Sequence, residues 1–243
     1  MTDDGIFDAD VAVSYDAVHG VASADIDATV ACLAQLANGG SALEFAIGTG
    51  RIALPLAATG LNVAGIEISQ PMVDVMRAKP GAANIPVTIG DMTTATQGAN
   101  YALVYLVFNT IDNLTSQQDQ VACFANAARH LAPGGRFVVE TLVPPLQRLP
   151  EGERLLAFSR TAAHWGTDEF DVVTQRYTSH HVRFDAAGSP RQLSVPFRYA
   201  WPAELDLMAQ MAGMVKEYRW ADWDRSEFTA TSRSHISVWR KEP

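Results

Sequence analysis

Three carboxylates stand at or near the ends of three successive apolar segments in the first half of the chain. Glu44 lies in "ALEFAI", Glu67 in "NVAGIEI", and Asp91 directly after "PVTIG"; each segment has the composition of a buried β-strand. Between the first two stand Gly48 and Gly50, which permit a tight turn where the backbone can approach a ligand closely. A helix beginning there offers free N–H groups to an anionic group, and Glu67 can accept hydrogen bonds from a ribose diol.

The glycine turn fits two kinds of ligand. Gly48, Gly50 and Ala53 match the G-x-G-x-x-A variant of the dinucleotide fingerprint, with an acidic residue at about the distance that fingerprint requires. Glu44, however, would be repelled by a pyrophosphate, whereas it suits a ligand that carries an ammonium and a sulfonium charge. Asp91 can accept a hydrogen bond from an adenine amino group. The three carboxylates together favour an adenosyl ligand with positive charge.

The loop after the fourth apolar segment carries polar residues that could take part in chemistry. The loop "FNTIDN" follows the strand-like "YALVYLV", and ligands of open sheets bind at the carboxyl ends of the strands. We predict that Phe108 and Asn109 shape the cofactor site and that Asp112 and Asn113 face an acceptor. A plain turn or capping role for these polar residues is an open alternative.

Two histidines in the second half could serve as a base near neutral pH. In "DVVTQRYTSHHV" the alternation of a strand places Arg176 and His180 on one face and Tyr177 and His181 on the other. Because only one face can point at an active site, His180 or His181 is the candidate catalytic residue. A solvent-facing or structurally bonded histidine is the alternative.

Strand-like and helical segments alternate from Ser41 to the strand "RFVVETLV", and they must position these residues. Such alternation with short loops predicts an α/β fold with a doubly wound, mostly parallel sheet. Strand-like runs without helices follow, and a helix with two strands ends the chain. The predicted units are residues 1–40 as an N-terminal helical cap, 41–142 as the cofactor-binding core, 143–200 as an antiparallel β insertion on the substrate side, and 201–243 as a C-terminal helix and strand hairpin.

Composition and charge narrow the classes of partner. The 243 residues include 18 Lys and Arg against 27 Asp and Glu, a formal charge of -9, without a cationic block. This disfavours nucleic acid, because a phosphate backbone is bound by clustered cations. Without a secretion signal or an apolar run that could span a bilayer, the protein is predicted to be cytoplasmic, with no membrane partner. Cys32 and Cys123 are interpreted as buried free thiols, and no metal site is predicted.

Four motifs, in this order, resemble the class I S-adenosylmethionine-dependent methyltransferases over roughly residues 41–142. "LEFAIGTGRIALPLA" is similar to the family's E/D-x-A/G-x-G-x-G motif, "GIEIS" to its ribose-binding acidic motif, "GDM" to its adenine-contacting motif, and "HLAPGGRFVVE" to its strand-five motif. The resemblance implies S-adenosyl-L-methionine as cofactor and S-adenosyl-L-homocysteine as product. The cofactor-binding residues implied are Tyr15, Glu44, Ala46, Gly48, Gly50, Glu67, Ile68, Asp91, Met92, Phe108 and Asn109.

The resemblance also implies a Rossmann-like sheet of seven strands whose last two form a reversed hairpin, which suits "VKEYRW" and "SHISVWR". The leading segment with "VSYD" resembles the cap over the cofactor in small-molecule members, so Tyr15 is a candidate near the methionine end. The N-P-P-[YF] motif of nucleic-acid adenine methylation is absent. "FNTIDNL" is more similar to the F-S-S-I-G-H-L of the amino-sugar N-methyltransferase branch, with Asn113 in place of the histidine.

The predicted protein is therefore a methyltransferase that moves a methyl group to a small-molecule acceptor by in-line displacement, as a monomer or weak homodimer. A nicotinamide-dependent oxidoreductase and a non-catalytic module that binds an adenosyl ligand are the alternatives. Glu44 and the strand-five motif speak against the oxidoreductase. The sequence leaves open whether nitrogen, oxygen or carbon is methylated.

Overall fold

A seven-stranded β-sheet forms the centre of the protein. The computed structural model describes residues 8–19, 23–185 and 187–242, so residues 1–7 and 20–22 of the predicted cap lie outside the described residues. The strands of the central sheet are β1 (Ala42–Phe45), β2 (Val63–Glu67), β3 (Val87–Ile89), β4 (Tyr101–Leu106), β5 (Leu131–Leu142), β10 (Met214–Trp220) and β11 (Ser234–Lys241).

The order of these strands across the sheet is β10-β11-β5-β4-β1-β2-β3. The five strands from β1 to β5 pair in parallel, whereas β11 runs antiparallel to both β5 and β10. Parallel neighbours need crossover connections, and these place helices on the two faces of the sheet. The predicted mostly parallel, doubly wound sheet with a reversed terminal hairpin is confirmed.

Helices cover both faces of the central sheet. The helices of the described residues are α1 (Ala9–His19), α2 (Ser23–Ala37), α3 (Ala53–Ala58), α4 (Gln70–Arg77), α5 (Gln117–His130) and α6 (Pro202–Met211). One buried cluster joins the sheet to α5 and α6 through Phe124 and Leu205, and the other joins it to α2 and α3 through Leu33 and Leu56. The helix after β1 and the helix after β4 thus lie on opposite faces. The sheet therefore has its switch point between β1 and β4.

The start of α5 follows from its capping residue. The Ser116 hydroxyl oxygen accepts a hydrogen bond from the Asp119 N–H at 3.1 Å, and the hydroxyl donates to the Asp119 carboxylate at 2.6 Å. Phe124 is buried as its spacing suggests, but Ala125 is exposed, and the helix ends before Leu131, which already belongs to β5. The helix ends because Leu131 adopts an extended backbone, two residues before Pro133.

The predicted insertion is a separate antiparallel sheet of four strands. Its strands, in spatial and chain order, are β6 (Leu155–Arg160), β7 (His164–Asp171), β8 (Arg176–Phe184) and β9 (Pro190–Arg198). The apolar pattern of the sequence does not show the turn between β7 and β8, because the exposed Val172 and Val173 lie in that turn. In that turn the Asp171 carboxylate accepts hydrogen bonds from the Val173 N–H and the Thr174 hydroxyl. The division of the chain into four domains stays a prediction.

No helix in the described ranges is both long enough and apolar enough to cross a membrane.

The close approach of β2 to the turn after β1 depends on Gly65. A β-carbon at this position would lie 2.5 to 2.8 Å from three carbon atoms of the Ile47 side chain. One of these is the Ile47 β-carbon, which a change of rotamer cannot move. The glycine therefore allows Ile47 to pack flat on β2 and sets the direction in which the chain leaves β1.

The Gly65→Ala variant should lose about 1–3 kcal/mol of unfolding free energy, because the added methyl group overpacks the contact with Ile47. Denaturant unfolding followed by circular dichroism measures this loss. The same change made in an Ile47→Ala background should have a smaller effect, since most of the overlapping atoms are absent there. Equal unfolding midpoints for Gly65→Ala and the wild type would contradict the prediction.

Candidate active site

A cavity lies at the carboxyl ends of the central strands, next to the switch point between β1 and β4. Residues following β1, β2, β3 and β4 contribute to its wall, and α1 contributes one side chain from outside the sheet. The lining residues are Tyr15, Ala46, Gly48, Ile66, Glu67, Ile68, Met72, Gly90, Asp91, Met92, Phe108, Thr110 and Asn113. Most of the cofactor-binding residues predicted from the sequence are among them. Glu44, Gly50, Asn109, Asp112, His180 and His181 are not.

Glu67 ties together two segments of the cavity wall. Its Oε2 accepts a hydrogen bond from the Gly48 N–H at 2.8 Å, and its Oε1 accepts one from the Ser69 N–H at 2.9 Å. Ser69 in turn caps α4, because its hydroxyl oxygen accepts from the Met72 N–H. The carboxylate thus fixes the turn after β1 and the beginning of α4, while it lines the cavity itself.

The two glycines of this turn have different functions. Gly48, with φ of +57°, lines the cavity, and a β-carbon there would lie 3.3 Å from the Met72 methyl group. Gly50, with φ of +75°, does not line the cavity, and a β-carbon there would lie 2.8 Å from Met76 Cγ and 3.2 Å from the Leu54 side chain. Gly48 thus leaves room at the ligand face, whereas Gly50 permits the packing of the following helices.

Helix α1 is fastened over the glycine turn. The Asp16 carboxylate accepts a hydrogen bond from the Thr49 hydroxyl at 2.6 Å and forms an ion pair with Lys79. The Lys79 ammonium also donates to the Thr49 carbonyl oxygen at 2.8 Å. These contacts place Tyr15, the neighbour of Asp16, in the cavity wall, where burial raises the pKa of its hydroxyl.

Asp91 combines a turn role with a place in the cavity wall. Its Oδ1 accepts hydrogen bonds from the Thr93 N–H and the Thr93 hydroxyl, each at 2.8 Å. Met92 is held beside it, since the Met92 carbonyl accepts from the Asn126 side chain of α5 at 2.8 Å. Asp91 therefore stabilises the turn after β3 and also lines the cavity.

Glu44 lies behind the cavity wall rather than in it. It is 3% exposed; its Oε2 accepts from the Tyr105 hydroxyl at 3.0 Å, and the carboxyl also accepts from the Ala53 N–H. Burial raises the pKa of Glu44 to about 8, against the opposing effects of the Tyr105 hydrogen bond and the Arg51 charge. A fixed negative charge was predicted here from the sequence. In the folded protein this carboxyl is mainly protonated at neutral pH, and its role as a cofactor ligand stays a prediction.

The loop after β4 separates into a cavity-facing part and a buried part. Asn113 lines the cavity and donates from Nδ2 to the Thr110 carbonyl at 3.2 Å. Asp112 instead points into the interior, where its oxygens accept from the Thr141 and Tyr177 hydroxyls, both at 3.2 Å. Burial raises the pKa of Asp112 to about 7, although both hydrogen bonds favour its ionised form. Asp112 therefore joins this loop to β5 and β8 and does not face the cavity.

The two candidate histidines lie on opposite faces of β8, as their spacing suggests, and neither lines the cavity. His180 contacts the Ser194 hydroxyl at 2.8 Å and lies 3.7 Å from a Glu169 carboxylate oxygen. His181 Nδ1 is 3.0 Å from His164 Nε2, and its other ring nitrogen is 3.2 Å from the Ser179 hydroxyl. Both make contacts within the insertion sheet, and a catalytic role for either stays a prediction.

Several residues at the site were not predicted from the sequence. The additional residues that line the cavity are Ile66, Met72, Gly90 and Thr110. Each of them except Met72 is next to a predicted site residue or at the end of a predicted strand. Glu140 was also missed, although a lone carboxylate within the apolar strand "RFVVETLV" is an identifiable signal. Within residues 8–19, 23–185 and 187–242 there is no group of three His, Cys, Asp or Glu that could hold a metal ion.

Several known proteins with similar sequences or folds are methyltransferases. A family described as a methyltransferase domain matches residues 42–135. The CcbJ methyltransferase from Streptomyces caelestis has the same fold with a TM-score of 0.84 and 35% identity, and the match covers 96% of each chain. The cypemycin N-terminal methyltransferase of a Streptomyces species is 25% identical over 100% of both chains. The dTDP-4-amino-2,3,4,6-tetradeoxy-D-glucose N,N-dimethyltransferase of Saccharopolyspora spinosa is 30% identical over 56% of this chain and 55% of its own.

A mostly parallel sheet with a reversed hairpin, a glycine turn after β1 and carboxylates at the end of β2 and after β3 are features of an α/β fold with a ligand cavity at the switch point of its sheet. Together with the similarity to CcbJ, they show that the chain belongs to the class I S-adenosylmethionine-dependent methyltransferases. It is an enzyme of this class, and S-adenosylmethionine is its cofactor. The family assignment decides against the nicotinamide-dependent and non-catalytic alternatives.

The buried Glu44 should make the stability of the protein fall as pH rises. The unfolded chain releases the Glu44 proton near pH ~4.3, but the folded protein retains it up to about pH 8. Between these values the folded state binds more protons, so its stability decreases with increasing pH. Glu44→Gln cannot ionise, and from pH 5 to pH 8 it should gain on the order of 2–4 kcal/mol relative to the wild type.

Urea unfolding at several pH values measures this difference. Glu151→Gln, in an exposed loop, controls for the removal of a carboxyl group as such. Parallel pH profiles for Glu44→Gln and the wild type would show that Glu44 is already ionised in the folded protein.

Proposed function

We propose that the cavity binds S-adenosylmethionine and that the enzyme transfers the methyl group to the amine nitrogen of a small molecule. The observation that carries this proposal is the convergence of Glu67, Asp91 and Gly48 on one cavity at the switch point of the sheet. The two carboxylates can accept hydrogen bonds from the hydroxyl and amino groups of a ligand. Gly48 beside them leaves space for the ligand because it has no side chain. A nucleoside carrying a positively charged amino-acid chain matches those groups.

Each part of the cofactor has a suitable partner in the cavity wall. The Glu67 carboxylate is assigned to the ribose hydroxyls and Asp91 to the adenine amino group, because both carboxylates line the cavity. Ile68 and Met92 provide apolar surface for the adenine ring. Gly48 and the neighbouring Ala46 leave space for the amino-acid chain, and Tyr15 covers it from α1. Phe108 closes the wall on the side of the β4 loop.

Bound S-adenosylmethionine supplies a methyl group that its sulfonium already makes electrophilic. The task of the protein is then to orient an acceptor in line with that group and to keep water away from it. Tyr15 is held in place by the contacts of Asp16 with Thr49 and Lys79, and it keeps water out of the cavity. Asn113 and Thr110 are assigned to the acceptor, since both line the cavity beside the β4 loop and carry polar side chains.

The choice of an amine as acceptor is supported by the relatives and by the β4 loop. One relative is named for methylating the N-terminus of cypemycin and another for dimethylating the amine of a nucleotide-linked sugar. Both names describe methylation at nitrogen on non-nucleic-acid acceptors. The Asn113 side chain has an oxygen that can accept a hydrogen bond from an amine N–H, as the branch's histidine nitrogen can. The formal charge of -9 supports an acceptor other than nucleic acid.

The proposal includes a cytoplasmic enzyme that acts as a monomer or a weak homodimer without a membrane partner. The free, buried thiols of Cys32 and Cys123 support a reducing compartment. The aromatic and apolar side chains exposed on the insertion sheet, Phe158 and Trp165 among them, support a weak self-association.

Calorimetric binding of S-adenosylhomocysteine, with NAD as the control ligand, tests the cofactor site without knowledge of the acceptor. We expect micromolar binding of the first and none of the second. Glu67→Ala and Asp91→Ala should each weaken binding by about 1–3 kcal/mol, because each removes a charged hydrogen-bond acceptor. Asp74→Ala, on the exposed side of α4, is the matched control and should bind as the wild type does. Wild-type affinity in both cavity variants would refute the assigned site.

An acceptor panel tests the second half of the proposal. It contains nucleotide-linked amino sugars and short peptides with free N-termini, each paired with its hydroxyl or acetylated analogue. Mass spectrometry should detect methyl transfer to amines and none to the paired analogues. Methylation of a hydroxyl analogue would show that the acceptor atom is oxygen and not nitrogen. It would leave the proposed cofactor site unaffected.

A further inference from the structure

The turn after β4 contains two successive non-glycine residues in the left-handed backbone region. The angle φ is +59° at Phe108 and +58° at Asn109. Asparagine tolerates this region better than most residues, but phenylalanine rarely adopts it. Phe108 nevertheless lines the cavity and is 38% exposed. Such a conformation persists only where the surrounding structure holds it in place.

Both N–H groups of this turn are bound by a single residue of β5. The Glu140 carboxylate accepts from the Phe108 N–H at 2.8 Å, and the Glu140 carbonyl oxygen accepts from the Asn109 N–H at 3.2 Å. The parallel pairing of β4 with β5, in which Leu106 is opposite Val139, brings Glu140 to this position. A turn of different shape would leave these donors without their partners, and that loss favours the observed conformation.

The same carboxyl group anchors the loop between β10 and β11. It accepts a hydrogen bond from the side chain of Trp223, which is 7% exposed. Burial raises the pKa of Glu140, while the hydrogen bonds from Phe108 and Trp223 and the charge of Arg51 oppose that effect. One carboxyl group therefore joins β5, the turn after β4 and the C-terminal loop.

The Phe108 ring also contacts the glycine turn. The Arg51 guanidinium carbon lies 4.4 Å from the centre of this ring, and Arg51 directly follows Gly50. A cation over an aromatic face is attractive, so the ring is held by a side-chain contact as well as through its backbone. A change at the Phe108 backbone would displace a wall that the cavity shares with Gly48 and Asp91.

We infer that Glu140 is a positioning residue: by holding the left-handed turn at Phe108 and Asn109, it keeps the Phe108 ring in the wall of the cavity. Glu140 does not itself line the cavity, so it acts through Phe108. The inference rests on the proposed function in one respect, namely that this cavity binds the cofactor. Its test therefore includes a measurement that needs no ligand.

The central comparison is between Glu140→Gln and Glu140→Leu, which have similar volumes. The glutamine oxygen can accept the Phe108 N–H, whereas leucine cannot. We expect Glu140→Gln to bind S-adenosylhomocysteine within about threefold of the wild type and Glu140→Leu at least about tenfold more weakly, because fewer molecules hold the competent turn. Glu217→Leu in β10 removes the ion pair with Arg136 of β5, away from the cavity; this variant is the control and should retain affinity.

The dependence on Phe108 is tested in a Phe108→Ala background. If Glu140 acts through the ring, Glu140→Leu should have little further effect on S-adenosylhomocysteine affinity once the ring is absent. A full tenfold loss in that background would overturn the inference. Equal affinities of the Gln and Leu variants would overturn it as well.

Amide hydrogen exchange without ligand follows the turn directly. The Phe108 and Asn109 amides should exchange faster in Glu140→Leu and at the wild-type rate in Glu140→Gln. Unchanged exchange in Glu140→Leu would refute the positioning role, even if the cavity bound a different ligand.

If wild-type protein does not bind S-adenosylhomocysteine, the proposed function fails, and exchange still decides the role of Glu140. If Glu140→Leu does not fold, Phe108→Gly should restore folding, because glycine adopts the left-handed turn freely; failure to do so would count against the inference.

Discussion

Two hydrogen bonds to the Glu67 carboxylate hold the segments on which the cavity depends. One comes from the Gly48 N–H in the turn after β1, and the other from the Ser69 N–H at the start of α4. Both donors belong to backbone that has left a strand or has not yet entered a helix, so neither has a partner in regular structure. Met72 and Met76 of α4 then pack where side chains on the turn glycines would lie. A single carboxylate at the end of β2 thereby sets the shape of the turn and the position of the next helix.

Three further carboxyl groups lie around the cavity and hold its outer parts. Glu44 joins the end of β1 to Tyr105 of β4, Asp112 joins the β4 loop to Tyr177 of the insertion, and Glu140 joins that loop to β5. Burial raises the pKa of each of these groups, so their hydrogen bonds compete with the loss of hydration. Polar contacts behind the cavity wall therefore determine the shape of the wall, and the residues that face a ligand do not.

The insertion sheet is attached to the core at the same end as the cavity. Besides the contact of Tyr177 with Asp112, Arg198 of β9 pairs with Gln120 of α5 and with Glu204 of α6. These buried contacts connect β8 and β9 to the elements that flank the β4 loop. The insertion sheet is thus in direct contact with the β4 loop, on the acceptor side of the proposed site. His180 and His181 lie on other parts of this sheet and do not line the cavity.

The sequence by itself determined the class of fold and the segments that meet at the cavity. Apolar alternation revealed the strands, and the spacing of Gly48, Glu67 and Asp91 indicated one ligand site, because the carboxyl ends of parallel strands converge at one edge. Only the tertiary structure decided which way each side chain points. It placed Glu44 behind the wall and brought Glu140, distant in sequence, to the Phe108 turn. Burial and contacts between strands arise from register and packing across the sheet, which a local pattern of residue types does not contain.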